Sequence, residues 1–190
     1  QWFNHLLFNP AGTRFAFLHR WRARPEDKGF GTRMLTAAPD GSDIRVVDDY
    51  GKTSHFIWRD DGHILAWAAQ ASHGPAFYLF ADGDPAATRP VGLGMMVRDG
   101  HCSYLPGGEW ILNDTYPGAG DRQIEVYLYH PAANRRLAIG RFDSPPEYTG
   151  EWRCDAHPRF SRDGRFVIVD TVAQGQGRQM RLIDIAAMPA

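Results

Sequence analysis

The sequence predicts an all-β fold of the β-propeller class, and this prediction depends on three observations. A histidine-containing segment occurs four times along the 190 residues. Each occurrence begins a set of short apolar runs separated by turn residues, as in the blade of a propeller. No amphipathic stretch of 10 to 12 residues indicates a helix instead. We therefore expect about four four-stranded blades.

The repeated segment has the composition of two strands joined by a tight turn. It begins with histidine, with an aromatic residue three positions later and a glycine seven positions later. A short apolar run follows each glycine, whose backbone accepts the positive φ of such turns. The aromatic residue is expected to face the neighbouring sheet, since it lies on the opposite side of the strand from the histidine. The four segments are residues 5–12, 55–62, 101–108 and 157–164.

Further short strands complete each repeat. They are predicted at 32–37 and 44–47 in the first repeat, at 125–129 and 136–139 in the third, and at 179–185 in the last. The resulting blades cover 5–50, 51–97, 98–143 and 153–190, within a single partial propeller domain.

The last repeat ends after its third strand, and four blades are close to the lower limit of a closed propeller. We therefore expect the chain to be a fragment of a larger propeller whose N-terminal blades are its partners.

Composition excludes several classes of partner. The formal net charge of −1 provides no basic surface for nucleic acid or for an anionic membrane. No apolar run approaches the roughly 20 residues of a membrane-spanning helix.

Cys102 and Cys154 are too few for a disulfide scaffold. We expect a cytoplasmic protein, with the periplasm as the alternative location.

The repeated histidines are the first candidates for function. The first strand of a blade lines the central channel, so equivalent residues of successive blades are expected to converge there. Neutral imidazole is a common metal ligand, and a divalent transition ion would suit such a ring. Asp99 and Asp155 each precede a histidine by two residues and would ligate the ion or orient a ring. The alternative is a structural role inside every blade. The four histidines are His5, His55, His101 and His157.

Long loops and aromatic side chains surround the same end of the predicted blades. Strand two runs antiparallel to strand one and therefore returns to the histidine level, where it ends in Trp21 or Tyr116. Tyr148 and Trp152 lie in the longest loop, 142–155. These aromatic rings would stack on sugar rings of a small oligosaccharide, and packing within the rim is the alternative.

Two segments resemble a known family. Residues 153–164 (RCDAHPRFSRDG) and 54–58 (SHFIW) resemble the propeller lyases that act on oligogalacturonates, within the wider group of TolB-like repeats. The resemblance implies a seven-bladed propeller, an ion of the Mn²⁺ type held by histidines and a glutamine, and β-elimination on a uronate-containing oligosaccharide.

The resemblance also gives arginines a role. Removing the proton next to a uronate carboxylate builds up negative charge, which a metal ion and guanidinium groups stabilise. Arg20, Arg153 and Arg159 lie near the histidine level and would clamp the carboxylate or act as the base. The alternative function is a non-catalytic TolB-like propeller that binds a protein or a glycan. The propeller of a serine peptidase is disfavoured, because no Gly-x-Ser-x-Gly motif is present.

Overall fold

The computed structural model describes residues 1–188 and confirms the predicted β-propeller class. Its strands form four antiparallel sheets, three with four strands and one with three. Among the described residues, the one helical element is a 3₁₀ turn, Gly150–Trp152. In this part of the chain, no helix has the length and apolar character needed to span a membrane.

Two compact units divide the chain, one from Gln1 to Val97 and the other from Arg98 onward. The first unit contains two sheets, with strand orders β1-β2-β3-β4 and β5-β6-β7-β8. Its strands are β1 (Trp2–Phe8), β2 (Phe15–Trp21), β3 (Gly31–Ala37), β4 (Arg45–Asp48), β5 (Phe56–Trp58), β6 (His63–Gln70), β7 (Gly74–Ala81) and β8 (Asp84–Val91).

The second unit also contains two sheets. Its four-stranded sheet has the order β12-β11-β10-β9, and its three-stranded sheet has the order β13-β14-β15. The strands are β9 (Ser103–Tyr104), β10 (Ile111–Asp114), β11 (Gln123–His130), β12 (Arg135–Asp143), β13 (Arg159–Phe160), β14 (Phe166–Thr171) and β15 (Gln179–Asp184). Within the described residues, the last repeat thus contributes three strands.

The histidines differ from one another in their relation to the first strand of each sheet. His5 lies within β1, whereas His55 directly precedes β5. His101 and His157 each lie two residues before a strand of only two residues. His5 and His157 also have left-handed backbone conformations, with φ of 56° and 40°. A left-handed residue interrupts the regular pleat, and the pairing of β1 with β2 accordingly shifts between Asn4 and Leu7, on either side of His5.

The first unit is held together by an apolar core between its two sheets. Trp58 is 5% exposed and belongs to this core together with Leu18, Met34 and Tyr78. Its indole N–H donates a hydrogen bond of 3.0 Å to the backbone carbonyl of Leu7, which links the second sheet to the first. The aromatic residue of the second repeat therefore packs between two sheets, as expected.

The equivalent aromatic residues of the other repeats are less uniform. Phe160 packs against the core of the second unit, and Tyr104 is half-buried. Phe8 is 56% exposed, so the prediction that it packs between two blades is wrong for the described residues. Its ring instead contacts Phe15, at a centroid distance of 5.6 Å, on an exposed face of the first sheet.

A buried ionic network adds a second link between the sheets of the first unit. The Asp82 side chain is 3% exposed and lies in the turn between β7 and β8. One carboxylate oxygen is 2.8 Å from Arg14 Nε and 3.0 Å from Arg45 Nη1, and the other accepts a hydrogen bond of 2.6 Å from the Thr36 hydroxyl. All three partners belong to the first sheet or its turns, so Asp82 ties the second sheet to it.

Replacing Trp58 with Ala should destabilise the first unit by about 3 to 5 kcal/mol, because the change opens a cavity between two sheets and leaves the Leu7 carbonyl unpaired. Phe8→Ala is the matched control at the equivalent repeat position, and because its ring is exposed we expect a loss below about 1 kcal/mol. Urea unfolding monitored by far-ultraviolet circular dichroism measures the free energy of unfolding of both variants. Equal losses in the two variants would contradict the packing described here.

Candidate metal centre

Two of the repeated histidines lie against each other in the second unit. The ring centroids of His101 and His157 are 3.7 Å apart, with an angle of 33° between their planes. Each histidine lies two residues before the first strand of its sheet, so the third and fourth blades bring the two rings together.

A single buried carboxylate positions both histidines. Asp114 ends β10, and its side chain is 1% exposed. Its oxygens accept backbone N–H hydrogen bonds from His101 at 2.6 Å and from His157 at 3.1 Å. The same carboxylate lies 2.9 Å from Nδ1 of His101. Since an ionised carboxylate only accepts hydrogen bonds, Nδ1 carries the proton and Nε2 keeps the lone pair that a metal ion requires.

Gly100 allows the chain to approach Asp114 this closely. A Cβ atom at Gly100 would overlap the backbone carbonyl of Asp114 and lie 2.8 Å from its carboxylate. Any other residue at this position would therefore push His101 away from Asp114.

Asp155 completes a group of three possible ligands. One ligand atom each from His101, Asp155 and His157 lie within 4.8 Å of one another, and no other such group occurs among residues 1–188. Asp155 Oδ2 forms an ion pair of 2.8 Å with Arg153, whereas Oδ1 is buried and has no hydrogen-bond partner among the described residues. A buried, unpaired carboxylate oxygen is costly, and a cation would satisfy it.

The donor set and its spacing fit a divalent transition ion. Two imidazoles and one carboxylate are the ligands that such ions take in proteins. With bonds of about 2.1 Å, two ligands of one ion are separated by at most about 4.2 Å. Side-chain shifts below about 1 Å would therefore bring the three ligand atoms to coordination distance.

The charges around the cluster favour its metal-binding form. Burial lowers the pKa of His157, and the neighbouring His101 imidazole lowers it further. His157 is therefore neutral at neutral pH, which leaves a ring nitrogen able to bind metal. Burial also raises the pKa of Tyr116 to about 12, with a contribution from Asp99. Its ring lies 5.7 Å from that of His101, and its hydroxyl stays protonated as a hydrogen-bond donor.

A cavity of about 460 Å³ opens beside this cluster. Arg153, Asp155, His157, Asp170 and Arg178 contribute charged or titratable side chains to its lining. The Arg153 guanidinium also lies over the Tyr116 ring, 5.2 Å from its centroid. Two of the three possible ligands, Asp155 and His157, therefore border the cavity together with two arginines, an arrangement suited to an anionic ligand.

Two of the predicted histidines also lie against each other within the first unit. The rings of His5 and His55 are stacked with centroids 5.9 Å apart. Trp21 stacks on His19 at 5.4 Å, and Arg20 lies over the Phe30 ring at 4.9 Å. The role of these residues in a common site stays a prediction.

The remaining predicted residues of the second unit have different surroundings. Arg159 is exposed and donates a hydrogen bond of 3.0 Å to the carbonyl of Pro158. Trp152 is 71% exposed in the 3₁₀ turn, and the backbone N–H of half-buried Tyr148 bonds to the carbonyl of Pro145. The structure thus brings Arg153 to the ligand group, whereas the contact of Arg159 is local.

Asp114 lies two residues before Tyr116, near the end of a second strand predicted to return to the histidine level, but the sequence did not identify its role. The signal available was its position, 13 residues after His101, at the end of the strand that returns to the histidine level. The sequence does not show that the Asp114 carboxylate accepts hydrogen bonds from the backbone N–H groups of His101 and His157. Its role therefore became apparent only from these contacts.

Comparisons with known proteins establish the fold. No family model matches the chain, and the search of curated proteins gave no significant match. An oligogalacturonate lyase solved in complex with manganese is 18% identical, with a TM-score of 0.69 over 97% of this chain and 48% of its own. The oligogalacturonate lyase of Vibrio parahaemolyticus is 15% identical, with a TM-score of 0.71 over 98% of this chain and 50% of its own.

TolB from Acinetobacter baumannii is similar as well. It is 18% identical, with a TM-score of 0.67 over 94% of this chain and 40% of its own. The chain thus spans half or less of the length of these three proteins. Its fold is that of the TolB-type β-propellers, as the repeats predicted.

The three-ligand group should bind a divalent transition ion, with affinity reduced about 10- to 100-fold by Asp114→Asn, because the carboxamide no longer orients His101. Asp155→Asn should weaken binding more strongly, since it removes a charged ligand. Affinity should fall on acidification as His157 gains a proton, and because burial lowers the pKa of His157 this loss should occur at a lower pH than for an ordinary imidazole. Calorimetric titration of chelator-treated protein with Mn²⁺ and with Zn²⁺ measures these changes.

Asp163→Asn, an exposed aspartate in the turn before β14, serves as the control and should leave metal affinity unchanged. Equal affinity in all three variants would show that the ion binds elsewhere.

Proposed function

We propose that this protein is a lyase of the oligogalacturonate type, which cleaves uronate-containing oligosaccharides by metal-assisted β-elimination. The similarity to two oligogalacturonate lyases, one solved with manganese, supports this assignment and favours Mn²⁺ as the ion.

One observation carries the proposal. The buried, unpaired oxygen of Asp155 lies in a group with His101 and His157, and this group borders a cavity that also contains Arg153. A ring of histidines with a purely structural role would not require an unsatisfied buried carboxylate beside it. A metal ion and an anionic substrate together would satisfy the charges of both Asp155 and the arginines.

Arg153 is proposed to bind the uronate carboxylate. A guanidinium has five N–H donors in a planar fork, so it can hold Asp155 and a second carboxylate together. Its ion pair with Asp155 makes it a clamp rather than a base. The protonated Tyr116 hydroxyl and the exposed Trp152 ring would contact the sugar, by hydrogen bonding and by stacking.

The elimination proceeds by loss of the proton next to the uronate carboxylate. When bound, the metal ion stabilises the negative charge that develops on this carboxylate. We assign Asp170, a residue that lines the same cavity, as the proton acceptor. The electron pair of the broken C–H bond forms a C=C bond, and the bond to the β oxygen breaks. The oxygen leaves with its electron pair and gains a proton from solvent.

Arg153→Ala should lower turnover of short oligogalacturonates by about 10²-fold, because charge developing on the carboxylate loses a donor. The assay follows the ultraviolet absorbance of the unsaturated product with metal-loaded protein. Arg153→Lys should restore part of the loss, since it keeps the charge without the fork. Arg162→Ala, an exposed arginine of the turn before β14, is the matched control and should retain full activity.

Absence of product with every uronate oligosaccharide tested, despite bound metal, would contradict the lyase assignment. That outcome would favour the second candidate function, a non-catalytic propeller that binds a protein or glycan, which the similarity to TolB supports.

A further inference from the structure

Arg178 links two loops beside the cavity of the three-ligand group. It directly precedes β15, and it lines the cavity together with Arg153 and Asp155. Its Nη2 atom donates hydrogen bonds to the backbone carbonyl of Arg153, at 3.1 Å, and to that of Glu151, at 3.3 Å. The loop that carries Asp155 is therefore tied to the connection between β14 and β15.

The pairing of β14 with β15 places the backbone of Arg178. Thr171 pairs with Gln179, and Arg178 lies directly before this pair. The connection from β14 reverses direction through residues with left-handed backbones, among them Gly175 and Gly177, with φ of 67° and 74°. Glycine adopts such angles without a steric cost. The sheet therefore holds the backbone of Arg178, and its side chain extends to the neighbouring loop.

The short segment 153–156 is held at both of its ends. Ala156 is fully buried, and its carbonyl accepts a hydrogen bond of 2.9 Å from the backbone N–H of Asp170. At the other end, the carbonyl of Arg153 is bound by Arg178. Asp155 lies between these two points, so the position of its carboxylate depends on both of them.

The 3₁₀ turn before this segment gains little from apolar packing. None of the residues Gly150–Trp152 is buried. The backbone hydrogen bonds of the turn are local, from Trp152 to the Thr149 carbonyl and from Arg153 to the Gly150 carbonyl. An exposed segment with local hydrogen bonds opens easily, and contacts from outside it limit this motion. The two hydrogen bonds from Arg178 are such contacts.

We propose that Arg178 is a positioning residue of the three-ligand group, which holds the Arg153 carbonyl and thereby places the Asp155 carboxylate for metal coordination. The same contact keeps the backbone of Arg153 beside Asp155, where the two side chains form their ion pair of 2.8 Å. Groups that orient a metal ligand change metal affinity by about 10- to 100-fold. This role rests on the proposed metal site and does not depend on the identity of the substrate.

The positive charge of Arg178 gives the test a clear sign. A guanidinium that lines the cavity beside a cation site repels the cation, so removing this charge alone should raise metal affinity. Removing the hydrogen bonds that place Asp155 should instead lower metal affinity. The two effects have opposite signs, and a loss of affinity therefore distinguishes positioning from an electrostatic effect.

Arg178→Ala should lower the affinity for Mn²⁺ and for Zn²⁺ about tenfold, as measured by calorimetric titration of chelator-treated protein. Arg178→Lys should recover part of this loss, because an ammonium group still donates hydrogen bonds. Arg162→Ala, the control, should leave affinity unchanged. Arg162 and Arg178 are both exposed, so the melting temperature of each variant in EDTA should stay within about 2 °C of that of the unmodified protein.

Unchanged or increased metal affinity in Arg178→Ala would overturn the proposal. A loss of affinity accompanied by a large fall in melting temperature in EDTA would overturn it equally, because the fold as a whole would then be loosened. No metal binding by the unmodified protein would contradict the metal site and this role together. Absence of lyase product despite normal metal binding would contradict the proposed function alone.

Discussion

The hydrogen bonds of the buried Asp114 carboxylate hold the histidine-bearing ends of the third and fourth blades together. The carboxylate binds the backbone N–H groups of His101 and His157, which are 56 residues apart in the sequence, and it also fixes the proton on one imidazole. The left-handed backbone of His157 is costly for a non-glycine residue and persists because this contact holds it. Gly100 permits the same contact from the other side by having no side chain.

The hydrogen bonds of Asp114 connect the arrangement of the blades with the geometry of the possible metal ligands. A propeller brings equivalent residues of adjacent blades together, but only a shared partner sets the distance and tautomer of their side chains. Asp155 then lies beside the paired rings with one oxygen in an ion pair and the other unsatisfied. One buried carboxylate oxygen of the second unit therefore has no hydrogen-bond partner among the described residues, and a cation would satisfy it.

The repeat was sufficient to predict the fold. Strands were predicted at 32–37, 125–129 and 179–185, and they occur as Gly31–Ala37, Gln123–His130 and Gln179–Asp184. The prediction succeeded because alternating apolar residues and turn glycines act locally, within one blade. The prediction for Phe8 failed because burial depends on a second sheet, which the sequence of one repeat does not specify.

The sequence by itself determined the blade architecture, the repeated position of the histidines and the presence of Arg153 and Asp155 near that position. Only the tertiary structure decided which of these groups meet. Asp114 acquires its role through contacts with His101 and His157, which belong to two different sheets. Hydrogen bonds between blades and the register of a strand depend on distances of a few tenths of an ångström. Such distances are fixed by packing over the whole sheet, whereas residue type and spacing fix only which groups are available.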